Sequence, residues 1–408
     1  MSSQRLLASR RSTTQQHVVT SGRPHAVLLS GAVLMALLLM LSGCHRTRSA
    51  QTVTAGDTIP LRYAQNLTMV RYSDGILVEL KDPWHEGRIL HRYWLTEDSN
   101  RKPSSLHTSL SSLHSPLSSI KFPLQRSVVF NTAHASLIGM LNATDRIAGV
   151  ADLKYMLLPD VQRRVQQGEI VDCGNSMSPD IEQIVSLHAD AILLSPFENS
   201  GGYGRLEKLG IPIIECADYM ETSPLGRAEW MRFYGLLFGC SQQADSLFSM
   251  VEHAYCALRD SVSTSAPLKI LTERLTGSTW YVPGGKSTVG RLIADAGATY
   301  AWADDDHSGS LALSFETVLS KSGNADVWLM NTSSSQPFTY ESLAAEHHGY
   351  TQFKAFRDRN IYFINTLQVP YFEEVSFRPD LLLRDYITML HPNPQHPPLR
   401  YFQKMHSQ

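Results

Sequence analysis

Ile181-Glu182-Gln183-Ile184-Val185 leading into Ala189-Asp190-Ala191-Ile192-Leu193-Leu194 is the stretch on which the fold turns, because its pattern occurs twice in the chain. The first part belongs to a helical pattern running from Ile181 to Leu187. The second ends in a short apolar run bounded by polar residues, the length of a buried strand and too short for a core helix. Phe315-Glu316-Thr317-Val318-Leu319 leading into Ala325-Asp326-Val327-Trp328-Leu329-Met330 repeats the order, including the acidic positions. Self-similarity of this kind implies two lobes of like construction.

Outward from these two stretches, short apolar runs alternate with helical patterns. Val128-Val129-Phe130, a helix over Ala135 to Leu141, Ile147 to Val150, a helix over Leu206 to Leu209 and Ile211 to Ile214 make up the first set. Lys269-Ile270-Leu271, helices over Val289 to Ala296 and Phe315 to Leu319, and strands at Val327 to Met330 and Ile361 to Ile364 make up the second. Such alternation predicts parallel strands joined by helices, so the fold class is α/β with two Rossmann-like lobes, residues 124–222 and 265–395. Residues 223–264 lie between them. Ser223 stands at a cap position and Pro224 in the first turn, and Ala244, Leu247, Phe248, Val251, Ala254, Tyr255 and Leu258 share one helical face. This segment predicts a long helical connector, divided at Gly239, that restrains lobe motion.

Residues 57–123 have another character. Leu67 to Tyr72 and Ile76 to Leu80 flank Ser73-Asp74-Gly75, a hairpin signal, whereas Ser99 to Pro123 is rich in Ser, Leu, His and Pro without a steady period. The expectation is an N-terminal β extension followed by a linker. Before it, Arg5, Arg10, Arg11 and Arg23 precede an uncharged apolar run from Ala26 to Leu41, then Ser42-Gly43-Cys44. That layout predicts a signal peptide over residues 1–43, its apolar run shorter than the roughly 20 residues a spanning helix needs. Ser42-Gly43-Cys44 looks like a lipobox, which makes Cys44 the expected lipidated residue and 44–56 a tether. Arg10-Arg11 stands too far from the apolar run for a twin-arginine signal.

The formal net charge of −2 and a pI of about 6.8 offer no basic stripe for phosphates, so no nucleic-acid partner is expected. Cys173, Cys216, Cys240 and Cys256 form no CxxC pair or zinc spacing, and each is expected as a buried thiol or a disulfide half.

Asp145-Arg146-Ile147-Ala148-Gly149-Val150, Ser178-Pro179-Asp180-Ile181-Glu182-Gln183-Ile184, Ser223-Pro224-Leu225-Gly226-Arg227-Ala228-Glu229-Trp230 and Arg378-Pro379-Asp380 occur in the order in which they stand in another group of proteins. In them the chain resembles the helical-backbone class (class III) of ABC-importer solute-binding proteins, which serve ferric siderophores, haem and cobalamin. The resemblance covers about Ser127 to Leu390. It implies a monomeric binding protein in the periplasm of a Gram-negative bacterium, anchored to a membrane by its lipid and partnered by an ABC permease and its ATPase. One glutamate per lobe docks on the permease in this class, and by motif position these are Glu182 and Glu316. A carboxylate meeting a guanidinium forks two hydrogen bonds, which suits docking.

Ligands of open α/β sheets bind beyond the carboxyl ends of the strands. The loops there carry Tyr155, Tyr203, Trp280, Tyr281, Trp302, Tyr371 and Arg378, the expected ligand contacts. Aromatic rings suit a flat macrocycle or a catecholate, and Arg378 an acidic group. An iron chelate, haem and a corrinoid all fit, with a ferric siderophore ranked first on the breadth of the class. Other motifs fail. Gly285-Lys286-Ser287-Thr288 lacks the first glycine of a phosphate loop, where Trp280 stands, and the acidic loop Asp304 to Gly309 has Phe315 at the twelfth calcium position. Neither a Gly-x-Ser-x-Gly elbow nor a His-Glu-x-x-His pair occurs, so no enzyme and no resident cofactor are expected. The runner-up within transport is a free zinc or manganese binder using His134, for which His188, His253 and His307 show no obvious ligand spacing. A non-transport surface lipoprotein with the same lobes is the competing class.

Overall fold

The computed structural model describes residues 56–98, 117–198, 202–262 and 267–406. The expected signal peptide, Cys44, the tether up to residue 55, residues 99–116 of the linker and Gly201 lie outside the described residues. In the N-terminal lobe five parallel strands stand in the order Ile213–Glu215, Ala191–Leu194, Ser127–Val129, Ile147–Val150, Val171–Asp172. The central three are buried along their whole length, as a sheet covered on both faces requires. The C-terminal lobe orders its strands Thr299–Tyr300, Lys269–Thr272, Val327–Thr332, Ile361–Asn365 and Gln403–Lys404, only the last pairing antiparallel. This lobe therefore continues past residue 395. Buried Asp385 fixes the returning tail by accepting the backbone N–H groups of Arg400, Tyr401 and Phe402 at 2.9, 2.7 and 3.3 Å.

The internal repeat has a structural basis in matching polar contacts. Asp180 caps the helix Ile181–Ser186 by accepting from the Gln183 N–H, and Ser314 caps Phe315–Ser322 through the Thr317 N–H. Before the strand that follows, Asp190 accepts the N–H groups of Gln125 and Arg126 at 2.7 and 2.9 Å, and Asp326 accepts that of Lys269 at 2.9 Å. Each aspartate thus ties the start of its own strand to the start of the neighbouring one, which fixes register in both lobes by the same device.

Pro224–Glu229, Met231–Leu237 and Ser241–Asp260 make the connector, with Ser223 capping the first helix and Gly239, at φ 68°, turning the chain before the third. The long helix buries Ala244, Phe248, Val251 and Tyr255 and packs against Pro379–Leu390 of the C-terminal lobe. Each large side chain so buried contributes about 1.5–3 kcal/mol.

Five strands within residues 57–96 and 117–121 form a separate sheet in chain order, antiparallel except for its last pair, Ile89–Thr96 with Leu117–Lys121. Its two-residue hairpin turn, Ser73-Asp74, joins Leu67–Tyr72 to Gly75–Lys81. Alternation puts Leu67, Met69, Val78, Leu80, Tyr93, Leu95 and Ile120 into the common core. Two buried carboxylates hold the entry to this sheet. Glu229 accepts the N–H groups of Arg62, Tyr63 and Ala64, and Glu221 those of Gln65 and Asn66 together with the Trp230 indole. Gly226 lets this segment approach, because a β-carbon there would lie 2.8 Å from the Tyr63 carbonyl oxygen. Cys173, Cys216 and Cys240 are buried free thiols and Cys256 a half-buried one.

Candidate functional site

Two strand ends, one per lobe, open onto the same space. After Ile147–Val150 the chain turns at Asp152, φ 54°, and leads into Lys154 and Tyr155. After Lys269–Thr272 it turns at Glu273, φ 59°, and leads into Arg274. Left-handed backbone at a non-glycine residue costs of order 1–3 kcal/mol and persists where its surroundings hold it. Here the Asp152 N–H donates to the Gly174 carbonyl at 2.7 Å and the Glu273 N–H to that of Leu329 at 2.8 Å.

Between the lobes lie two cavities of about 410 Å³ each. One has Tyr219 and Arg227 on one side and Arg274, Tyr281 and Thr288 on the other. The second has Lys154 and Tyr155 facing Arg274, Asn331, Thr366 and Phe372. Arg274 lines both, so they are adjoining halves of one cleft.

Cations dominate its polar lining. The Arg274 guanidinium lies 5.0 Å over the Phe338 ring, donates to the Asn331 carbonyl and pairs with Glu346 at 2.9 Å. Arg227 donates to buried Asp218 at 3.3 Å, and the Lys154 ammonium lies 4.6 Å from the Tyr155 ring centre. Burial pushes the Glu273 carboxyl above the usual range, against the opposing pull of Asn331 and Arg274. Around these cations Tyr155, Tyr281 and Phe372 stand exposed, at 59, 46 and 54 %. Cations among open aromatic faces make a surface for an anionic, flat or aromatic solute. One contact from the C-terminal lobe braces the cleft: buried Glu373 accepts the Thr132 hydroxyl at 3.2 Å and the Leu157 N–H at 2.9 Å.

Comparison with known proteins matches residues 128–366 to the periplasmic binding protein family, a span that takes in the connector and most of both lobes. The chain belongs to the periplasmic binding protein family. This binding protein is 23 % identical over 349 residues to an uncharacterized lipoprotein of Methanocaldococcus jannaschii, a match covering 81 % of this chain and 82 % of that one. Its fold is similar to a periplasmic haem-binding protein of Pseudomonas aeruginosa, with TM-score 0.52, 16 % identity, and coverage of 70 % of this chain and 99 % of that one. A protein of an ABC-type Fe3+-hydroxamate transport system from Saccharomonospora viridis is equally similar, with TM-score 0.52, 18 % identity, and coverage of 66 % and 93 %. The two-lobed α/β architecture with a helical connector is thus shown both by the family and by the strand order.

Within this binding protein the residues expected at the ligand part company. Tyr155 and Tyr281 line the cleft. Tyr203 instead lines a cavity of about 540 Å³ on the N-terminal lobe and donates to Glu215 at 2.7 Å. Trp280 and Trp302 do not face the cleft. Trp280 is fully buried, stacked 5.7 Å from Trp328, with its indole N–H on the Thr272 carbonyl, and buried Trp302 packs edge-on to Tyr300. Tyr371 turns inward against Tyr401, leaving its neighbour Phe372 exposed, and Arg378 forks onto buried Asp380 at 2.9 and 2.8 Å. Arg274, Arg227, Lys154, Tyr219 and Phe372 were not singled out as ligand contacts in the sequence. Arg227 stands in a family-like motif and Phe372 in a flagged loop, and those were the available signals.

Glu182 and Glu316 are exposed, each in the first turn of its capped helix at matching positions of the repeat. The Glu316 backbone N–H and the Ser314 hydroxyl hold the Glu316 carboxyl below its usual range, keeping it ionised. His134, the residue of the free-metal alternative, is buried with its Nε2 2.9 Å from Asp218. Among the described residues no three His, Cys, Asp or Glu side chains group to hold a metal ion, and no helix is long and apolar enough to cross a membrane.

Proposed function

We propose that this chain is the substrate-binding component of an ABC importer that captures an iron complex between its lobes, an anionic ferric siderophore ranking first and haem or a corrinoid standing as the alternatives. The observation that carries this reading is the cleft in which Lys154, Arg227 and Arg274 stand among Tyr155, Tyr219, Tyr281 and Phe372. Catecholate, carboxylate and propionate oxygens suit the cations, and their ring systems suit the aromatic faces. The iron and haem proteins of like fold support the ligand class. In this reading the signal peptide exports the chain to the periplasm of a Gram-negative bacterium, Cys44 carries the lipid, and Glu182 and Glu316 dock the monomer on the permease, whose ATPase drives release.

Isothermal titration of the chain from residue 45 onward tests it, using a ferric tris-catecholate, a ferric hydroxamate, haem, cyanocobalamin, Zn2+ and Mn2+. Saturable binding of an iron chelate, haem or cobalamin at micromolar Kd or below, about −8 kcal/mol or more favourable, is expected. Binding of bare metal alone would transfer the function to the free-metal reading, and no binding to any of the six would favour a non-transport lipoprotein.

A further inference from the structure

Where the β extension meets the N-terminal lobe, three side chains from distant parts of the chain stand in relay. His91 and Tyr93 alternate onto one face of the strand Ile89–Thr96, and the register pairing Tyr93 with Ser118 puts Ser118 on that same face. Ser118 Oγ is 2.9 Å from His91 Nε2, and the other ring nitrogen, Nδ1, lies 3.3 Å from Glu215 Oε2. Glu215 ends a strand of the other sheet and is 9 % exposed. Its backbone N–H donates to the Tyr93 hydroxyl at 2.8 Å, and its Oε1 accepts from Tyr203 at 2.7 Å. Buried Oε2 has no hydrogen-bond partner of good geometry and faces His91. The imidazole is further fixed by stacking on Tyr93, with centroids 4.5 Å apart and planes at 12°.

We propose that Ser118, His91 and Glu215 form a hydrolytic triad acting on uncharged carboxylic esters. A hydroxyl is a weak nucleophile until a base takes its proton, and the base needs a third group to orient it and stabilise its cation. Each position is occupied by the appropriate atom, with Nε2 at hydrogen-bonding distance from the serine and Nδ1 3.3 Å from the carboxylate, an ion-pair contact and not an aligned hydrogen bond. The triad lies in a groove of about 670 Å³ that includes Leu90, Ile211, Pro212 and Ile213; its lining carries the carboxylates Glu207 and Glu215 and no Lys or Arg, which disfavours an anionic substrate and suits an uncharged ester. Among the described strands Leu117–Lys121 stands at the edge of its sheet, so alternate backbone N–H groups of this strand point away from the ladder, the side on which an oxyanion would be met.

The chemistry balances with water as the only co-reactant. Ser118 Oγ bonds to the ester carbonyl carbon as its proton passes to His91 Nε2. The carbon–oxygen bond to the leaving group breaks, and the alcohol departs with that proton. Water, deprotonated by the same nitrogen, attacks the acyl-serine and releases the carboxylic acid, restoring the hydroxyl.

The full chain is incubated with p-nitrophenyl butyrate and, separately, with a fluorophosphonate probe whose site is mapped by peptide mass. Labelling at Ser118 is expected, with ester turnover reduced about a hundredfold or more in Ser118→Ala and strongly reduced in Glu215→Gln, melting curves being compared for each. Should Glu215→Gln fail to fold, Ser118→Ala decides alone, since it removes one hydroxyl from an edge strand. Labelling elsewhere, or equal turnover by wild type and Ser118→Ala, would overturn the proposal and leave the contacts as a polar joint between two sheets.

Discussion

Replacing Glu229 tests whether buried carboxylates hold the β extension onto the binding-protein core. Glu229 is completely buried and accepts three successive backbone N–H groups, from Arg62 at 2.9 and 3.0 Å to its two oxygens, Tyr63 at 2.7 Å and Ala64 at 2.9 Å. In Glu229→Gln the amide oxygen can keep Tyr63, Ala64 and the 3.0 Å bond from Arg62, but the new NH2 takes the place of the oxygen that accepts from Arg62 at 2.9 Å and meets that N–H donor to donor. Exchanging one charge-assisted bond for a donor–donor contact costs about 1–3 kcal/mol, so that much stability is lost. In Glu229→Ala all three donors lose their partner and a void opens, for an expected loss of about 3–6 kcal/mol, a large part of the roughly 5–15 kcal/mol by which domains are stable. Urea unfolding measures the totals. Amide exchange at residues 62–64 localises them, with protection falling by roughly 5- to 150-fold for the Gln variant. An Ala variant within about 0.5 kcal/mol of wild type would refute the reasoning, because desolvation of the carboxylate would then cancel all it gains from its three donors.

Arg274→Gln removes the cation shared by both halves of the cleft and is expected to weaken an anionic chelate by about 10- to 150-fold, the equivalent of one charge-assisted contact, while Arg274→Lys loses less; titration calorimetry at two salt concentrations reads both. Glu182→Ala combined with Glu316→Ala should leave ligand affinity unchanged and abolish uptake in cells carrying the cognate permease, so unimpaired uptake would remove the docking role from these residues. For Asp218, burial raises the carboxyl pKa but His134 and Arg227 outweigh it, leaving it lowered from 3.8. A folded pKa below the unfolded one gives stability that is complete above the unfolded value and lost as pH falls through the folded one. The melting-temperature gap between wild type and Asp218→Asn should therefore be full at pH 6 and begin to shrink below about pH 4, and a gap undiminished at pH 3 relative to pH 6 would contradict that sign.

The cleft gives these residues a shared logic. Strand ends in α/β sheets leave backbone and side chains open where helices begin, and this protein places two of its left-handed residues, Asp152 and Glu273, at such ends. The sheet cores behind them are fully buried and carry the rigidity. Specificity then lies in loops whose side chains converge from both lobes.

Local chemistry made much of this legible in the sequence. Strands buried on both faces read as short continuous apolar runs, caps need Asp or Ser at one position, and the exposed Glu182 and Glu316 follow from that local pattern. The two-lobed class and the connector came from such patterns and from the repeat. The cleft did not. In Trp280-Tyr281 successive side chains must face opposite ways, but nothing local says which faces the ligand; packing against Trp328 takes Trp280 inward and leaves Tyr281 out. Tyr371 and Phe372, in the short helix Tyr371–Glu374, divide by packing alone, Tyr371 against Tyr401 and Phe372 outward. Lys154 meets the space of Arg274 and Phe372 only because two lobes close on one another, and His91 finds Ser118 and Glu215 only because one sheet is laid against a second. Periodicity is a property of neighbouring residues, so it specifies elements and faces. Which face receives a partner depends on contacts between residues far apart in the chain, and these exist only in the tertiary structure.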